Sequence, residues 1–580
     1  MFKILLFTIC TLISCCVFSQ ENKIIKEALQ ELKDFSTKEN PPDTVLSNYP
    51  LGRFKEEDFI RRGSFYEKLY NKLDRLDASL LSAADKVNLE LLKYSITDEV
   101  ISYRYKGYLN PILSDEGFHT WLPRMANRVL INEKEVRLYL ASLKAIPAYV
   151  EENLQLMRAG LKLGISQPAA ALAGFEKTYT THIVDNAQAS LFWKPLQKKP
   201  AFISDERWVA LQAEGQGLVM KSVVTSFKKI KDFFEKEYIP VTRKTLGASA
   251  MPNGKEYYKE LVRFHTTTNL APDDVYNIGM SEVNRIKKEM DSVIKAVAFK
   301  GSFADFIQFL RTDKQFYATS ADQLLKEASF IAKKIDGQLP RLFGKLPRQP
   351  YGVEPVPDYL APSYTTGRYS GASIKTKRAG MYWVNTYNLP SRTLYTLESL
   401  TLHEAVPGHH LQTALSQELT NLPEFRQRFY INAFGEGWGL YSEYLGYELG
   451  LYKDPYSLFG RLTYEMWRAC RLVIDVGIHW KGWTKEQAID FLASNTALSL
   501  HEVNTEVNRY IAWPGQALAY KMGEIKIKEL RRKAEAALKE NFDVRVFHDL
   551  VLSEGSVTLP ILEKMVDNFI ERELKKKKPL

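Results

Sequence analysis

His403-Glu404-Ala405-Val406-Pro407-Gly408-His409-His410 holds three of the chain's nine histidines, and the fold around it depends on how this octapeptide is read. Zinc hydrolysis needs neutral imidazole ligands, one carboxylate ligand, an open position for water and a second carboxylate to accept a proton. In the H-E-x-x-H pattern the two histidines lie four apart on one helix face, rising about 6 Å, and share one ion. Here the second histidine comes six or seven residues on. A straight helix would hold His403 and His410 on one face but about 10.5 Å apart along the axis, too far to share a metal. Pro407 removes a backbone donor and Gly408 tolerates unusual dihedrals, so the pair predicts a bulge that returns a later histidine to the first. His409 suits the second ligand position. His410 is then a pocket residue or the alternative ligand.

A carboxylate from a following helix should complete the set. Phe434-Gly435-Glu436-Gly437-Trp438-Gly439-Leu440-Tyr441-Ser442-Glu443 offers Glu436 among glycines that allow close helix approach. Glu443 lies two turns further along the same face, placed to orient a ligand histidine from behind. The expected centre is one zinc ion on His403, His409 and Glu436, with Glu404 as general base; the plainer reading makes Glu436 and Glu443 solvated helix carboxylates.

Outward from this centre most of the chain reads as helix. Asp205 to Glu237, Pro272 to Phe299 and Ala321 to Ile335 repeat apolar residues three and four apart. Ser320 with Gln323, and Thr484 with Gln487, have capping-box form. One interval breaks the rhythm: six prolines fall between Pro340 and Pro362, and Tyr364 to Asn388 is rich in Tyr, Thr, Gly and β-branched residues. Proline cannot propagate a helix, and Gly380 to Thr386 reads as a strand, so a small sheet is expected beside the metal-binding helix. The expected fold is mainly α, a large helical zincin-like body. Its expected parts are a signal peptide (1–19), an N-terminal helical half (20–339) and a catalytic half with the sheet and the zinc-binding helices (340–580).

The 580 residues are 45% apolar and 26% charged, which suits a globular core and excludes disorder. A net charge of +10 is a weak excess, and the only long basic run is Lys575 to Lys578, so nucleic acid is not an expected partner. At the other end, Lys3 precedes an apolar run from Ile4 to Phe18, and the sequence then turns polar at Gln20, the pattern of a secretory signal. Val17 and Ser19 suit cleavage before Gln20. Leu12-Ile13-Ser14-Cys15 offers the alternative of a lipid anchor at Cys15. With Cys10, Cys15 and Cys16 in the leader, Cys470 is left as a buried core thiol, and a disulfide framework is excluded. No later stretch is apolar enough for a transmembrane segment. The protein is expected to be exported, periplasmic or secreted, or else a membrane-anchored lipoprotein.

Three motifs carry a resemblance: HEAVPGHHLQ from His403, GEGWGLYSE from Gly435 and YIAWPGQALAYKMG from Tyr510. In this order they resemble the bacterial family catalogued as domain of unknown function 885, over most of the mature chain. That family is similar to helical gluzincin metallopeptidases such as angiotensin-converting enzyme, thimet oligopeptidase and carboxypeptidase Taq. In those peptidases Gly commonly precedes the second histidine, as Gly408 precedes His409, and a following helix supplies the glutamate ligand, as Glu436 would. The Pro-Gly insertion departs from their pattern. Their oxyanion-stabilising tyrosine comes from a comparable C-terminal segment, which implies Tyr520 or Tyr510 here.

Further substrate contacts are expected from Gln516, His479, Arg471, Tyr382 and Asn385. Arg468 and Arg471 are candidates for receiving a substrate carboxylate, and the backbone of the strand at Gly380 for aligning a peptide by strand addition. The resulting expectation is an exported zinc-dependent metallohydrolase, a peptidase acting on oligopeptides. Two alternatives stand beside it: an extracytoplasmic peptide-binding or scaffold protein with an inactive zinc site, and a metal-dependent hydrolase of another amide or ester.

Overall fold

A computed structural model describes residues 23–40, 48–358, 360–361, 364–374, 376–427 and 429–576. The leader reading, with its cleavage site and Cys15, lies outside them. Two compact units emerge, one running to Tyr257 and including Ile511–Trp513, the other comprising Tyr258–Tyr510 and the chain from Pro514 onward. The division therefore falls at Tyr257 and not near residue 340. The proline interval sits inside the second unit because its strands pack on the helices at 321–336, 397–404 and 409–417.

In the first unit the helix Glu133–Leu163 places Tyr139, Leu143, Ile146, Val150, Leu154 and Met157 three or four apart on one buried face. It ends at Gly164, whose φ of 75° favours a residue without a side chain. The run expected from Asp205 to Glu237 is helical throughout, with π turns at Val219–Val224 and Phe234–Tyr238.

The second unit is mainly α with a small sheet. The elements around the site are α1 (Pro272–Ala296), α2 (Leu397–Glu404), α3 (His409–Gln417), α4 (Asn432–Leu445), α5 (Pro455–His479), α6 (Leu500–Ala512) and α7 (Ala519–Leu538). α5 is buried on every side from Phe459 to His479, as a central helix must be. Its start is fixed by Pro455 in the first turn and by Asp454, which accepts from the Ser457 amide. Cys470 lies within it as a buried free thiol. Of the two capping boxes read from sequence, Thr484–Gln487 forms in full. At the other, Ser320 caps the Gln323 amide, but Gln323 reaches back to Thr319.

The sheet has three strands, β1 (Tyr351–Pro355), β2 (Gly367–Ser370) and β3 (Gly380–Val384), in the order β1-β3-β2. β3 runs parallel to β1 and antiparallel to β2. It is the central strand, so both its edges are already hydrogen-bonded and the expected strand addition along it does not hold. β1 lies inside the proline interval, where an edge position tolerates Pro355 at its end.

Candidate metal centre

α2 stops at Glu404 and α3 begins at His409. The expected bulge is instead a full break: a turn through Ala405–Gly408 containing a cis Val406–Pro407 peptide bond. A Cβ at Gly408 would lie 1.9 Å from the His403 carbonyl oxygen, so only glycine permits the chain to fold back this closely. The turn is pinned twice, by the His410 amide donating to Ala405 O at 3.0 Å and by Trp438 Nε1 donating to Pro407 O at 2.8 Å. The imidazoles of His403 and His409 consequently face each other edge to face, 4.7 Å between centroids.

α4 brings Glu436 between them. Its Oε2 lies 3.4 Å from His403 Nε2 and 3.5 Å from His409 Nε2. Ligand atoms of a tetrahedral zinc site, each about 2.0–2.1 Å from the ion, are separated by roughly 3.3–3.4 Å. Donor type and spacing therefore both fit zinc. These side chains are 3%, 12% and 15% exposed in the order His403, His409, Glu436, which leaves one side open to solvent.

The other edge of His403 is fixed as well. Glu443 Oε1 accepts from Nδ1 at 2.8 Å, and since a carboxylate has no proton to give, Nε2 is left as the lone-pair donor. Arg468 stands 3.5 Å from the same Glu443 oxygen. Burial opposes a charge on His403, but the bonds to Glu436 and Glu443 outweigh it and push its pKa up to about 10. Glu436 is held well below the carboxylate range: burial alone would raise it, and the two histidines overcome that. The pocket stabilises positive charge where a cation would sit.

Glu404 is 8% exposed, and its Oε2 accepts the Tyr369 amide of β2 at 2.8 Å, leaving the second oxygen for a proton. His410 is not with the ligands. Its Nε2 donates to Gln349 O and its Nδ1 accepts from the Tyr369 hydroxyl, each at 3.0 Å, and burial lowers its pKa to about 4. It braces the strand that holds Glu404.

The three glycines around Glu436 each admit a different neighbour. A Cβ on Gly435 would meet the Tyr430 ring at 2.2 Å, one on Gly437 the Gly523 backbone of α7 at 2.5 Å, and one on Gly439 the His403 ring at 2.6 Å. The glycine contact of α4 with α7 thus joins two of the three sequence motifs.

Several expected contacts fall elsewhere. Tyr510 is 1% exposed; its hydroxyl accepts from Trp467 Nε1 and Arg471 Nε and binds Glu506, so it has nothing left for an oxyanion. Arg471 lies between the rings of Trp467 and Tyr520 and pairs with Glu506. His479 donates to Tyr510 O, and Gln516 accepts from Arg509. Asn385 clamps the carbonyls of Ala361, Tyr364 and Thr365, while Tyr382 accepts from Thr401. All five residues expected as substrate contacts are buried and bonded to protein partners in this structure. Tyr520 keeps partial exposure, its hydroxyl accepting from Arg509 at 3.3 Å.

Sequence reasoning missed three residues. Tyr430 Oη donates to Glu436 Oε1 at 3.3 Å. Tyr369 supplies the amide on Glu404. The third, Arg368, sits next to it on β2: partial burial opposes its charge, and Tyr364 with Glu404 and then Glu436 more than offsets that and raises its pKa. Only Tyr430, six residues before Glu436, had a local signal, its place ahead of a glycine-rich helix.

A second acidic group, Glu282, Glu465 and Glu524, has ligand-like spacing, but Lys521 Nζ already lies 2.9, 2.8 and 2.6 Å from the three. It is an ion-paired core contact that ties α1, α5 and α7 together.

Fold and site together define a mainly helical protein with a two-histidine, one-glutamate centre built across a broken helix. The chain belongs to the family described as "Bacterial protein of unknown function (DUF885)", which matches residues 43–566. A "putative lipoprotein" from Colwellia psychrerythraea is similar in structure, with a TM-score of 0.85 and 27% sequence identity, covering 96% of this chain and 99% of that one. A "putative lipoprotein of unknown function" from Shewanella oneidensis shares the fold, with a TM-score of 0.69 and 17% identity over 94% of this chain and 99% of that one. No curated protein matches. Among the described residues no helix is long and apolar enough to cross a membrane.

Proposed function

We propose that the protein is an exported zinc-dependent hydrolase, a peptidase acting on oligopeptides. The observation that carries this reading is the convergence of His403 Nε2 and His409 Nε2 on Glu436 Oε2 at tetrahedral ligand spacing. A zinc ion held there would lower the pKa of a water molecule and polarise the scissile carbonyl. Glu404, oriented by the Tyr369 amide, takes the proton of the attacking water and returns it to the leaving amine. Glu443 keeps His403 in the required tautomer, and Arg468, 3.5 Å away, helps hold Glu443 in place.

The long histidine spacing, which favoured an inactive centre, no longer argues against activity, because the break restores the ligand pair. Export rests on the leader sequence. The description of the Colwellia relative supports the alternative in which Cys15 carries a lipid, and the mass of the mature N-terminus distinguishes the two.

Metal analysis with a peptide-library digest tests the proposal. Wild type should carry one zinc per chain and cut peptides. His409→Ala should lose the metal, whereas His410→Ala should keep it. Glu404→Gln should keep zinc while turnover falls by about 10²–10⁴. A metal-free wild type, or full turnover by Glu404→Gln, would remove the scheme.

A further inference from the structure

We infer that Tyr430 is the side chain that donates a hydrogen bond to the oxygen on which negative charge develops during hydrolysis. This inference rests on the hydrolase reading above.

Glu436 presents its two oxygens to different neighbours. Oε2 faces both imidazoles, while Oε1 receives the Tyr430 hydroxyl at 3.3 Å. That hydroxyl therefore sits against the same carboxylate whose other oxygen the two histidines share.

Its placement is built in. The ring lies against Gly435, where any Cβ would come within 2.2 Å of it, and the following residue is tied down by Ile431 N–H donating to Ser556 Oγ at 2.8 Å. Ring and His409 imidazole are 6.5 Å apart between centroids. Tyr430 is 41% exposed, far more open than the three candidate ligands beside it. Tyr430 thus lies toward the solvent side of the site.

The bond to Glu436 is long, so little is lost when the hydroxyl turns to a stronger acceptor. Of the other two tyrosines, the Tyr510 hydroxyl is saturated by Trp467, Arg471 and Glu506, and that of Tyr520 accepts from Arg509, with its ring 4.3 Å from the Arg471 guanidinium, while Tyr430 alone of the three is bonded to a candidate ligand. As attack converts the carbonyl to a tetrahedral centre, the bond from Tyr430 strengthens with the charge on oxygen. The phenol keeps its proton, and no covalent bond to it forms or breaks. A donor that acts mainly in the transition state changes kcat and leaves substrate binding little altered.

Tyr430→Phe tests this with three readouts: zinc per chain, affinity for a phosphinic peptide that mimics the tetrahedral oxyanion, and kcat against KM on a peptide that wild type cleaves. Zinc content should be unchanged, phosphinate affinity should fall about 10–100-fold, and kcat should fall about 10²-fold with KM within roughly threefold. Loss of zinc in the variant would overturn the inference, making Tyr430 a support for Glu436. So would unchanged phosphinate affinity, or a zinc-loaded wild type that does not bind the phosphinate at all. If zinc-loaded wild type binds the phosphinate yet cleaves no peptide, the peptidase reading fails, and the affinity difference between the two proteins still decides the role of Tyr430. A wild type without zinc would refute both.

Discussion

Replacing Gly439 by alanine would set a methyl group against the face of a ligand imidazole. The new Cβ would lie 2.6, 2.8 and 2.9 Å from Cε1, Nε2 and Nδ1 of His403, where ordinary contacts begin near 3.4 Å. The ring must therefore retreat by about 0.5–0.8 Å, and it cannot do so freely, since Nδ1 is tied to buried Glu443 and Nε2 faces Glu436. Overpacking of this kind costs about 1–3 kcal/mol. Zinc ligand distances tolerate only about ±0.2 Å, so a displacement several times larger should weaken metal binding at least 10–100-fold, comparable to losing a group that orients a ligand. Competition against a chromogenic chelator measures the affinity, and thermal unfolding of the metal-free protein measures the packing cost. Gly435→Ala provides the contrast: its Cβ presses on Tyr430, which is not one of the three candidate ligands, so zinc affinity should stay within a few-fold. Gly439→Ala with unchanged zinc affinity and unchanged melting would refute the reasoning, as would an equal zinc loss in Gly435→Ala.

Two further substitutions probe the frame of the second unit. Lys521→Met leaves Glu282, Glu465 and Glu524 with the ammonium they share removed, and breaking a buried pair in this way costs about 3–5 kcal/mol, read as a lower urea midpoint; a shift worth under ~1 kcal/mol would contradict it. Asp475 gives a pH signature: burial raises its pKa to about 7 despite the bonds from Tyr258 and the Gly515 amide. An acid whose folded pKa exceeds its unfolded value keeps a proton that the unfolded chain has released. Stability therefore falls as pH rises from about 4 to 7, by on the order of 4 kcal/mol in all. Asp475→Asn should remove that slope, and a stability gap between the two proteins that stays constant from pH 4.5 to 8 would show the assignment to be wrong.

Local chemistry explains why the candidate ligand cluster was legible and its surroundings were not. His403, His409, Glu436 and Glu443 follow from residue type, helix period and a Pro-Gly interruption, all readable over a few turns. The break itself was underestimated, because the closeness of Gly408 to the His403 carbonyl is a contact across the turn that spacing alone does not reveal. Tyr369 and its grip on Glu404 come from a strand 35 residues away in sequence, and nothing near Tyr369 marks it. Arg471 and His479 are polar residues on the buried α5, where Tyr510 and Glu506 of α6 satisfy them, a setting that residue type alone does not reveal. The unit boundary failed because prolines end helices without separating domains, and the strands among them pack back onto helices.

Glu436, Gly439 and Glu443 have a consequence beyond this one chain. At positions i, i+3 and i+7 they line one face of α4, with an acceptor at each end and a bare stretch of backbone between them. A single imidazole fits there flat, its Nδ1 bonded to Glu443 and its Nε2 turned toward the oxygen of Glu436 with which it would share a metal, and only an imidazole has two ring nitrogens on opposite edges to meet both carboxylates. The face is a mould for histidine cast in eight residues of helix. E-x-x-G-x-x-x-E can therefore be read as a receptor for a histidine arriving from elsewhere in a chain, so a search for such centres can start from the helix that receives the ligand when the histidine pair itself is irregularly spaced.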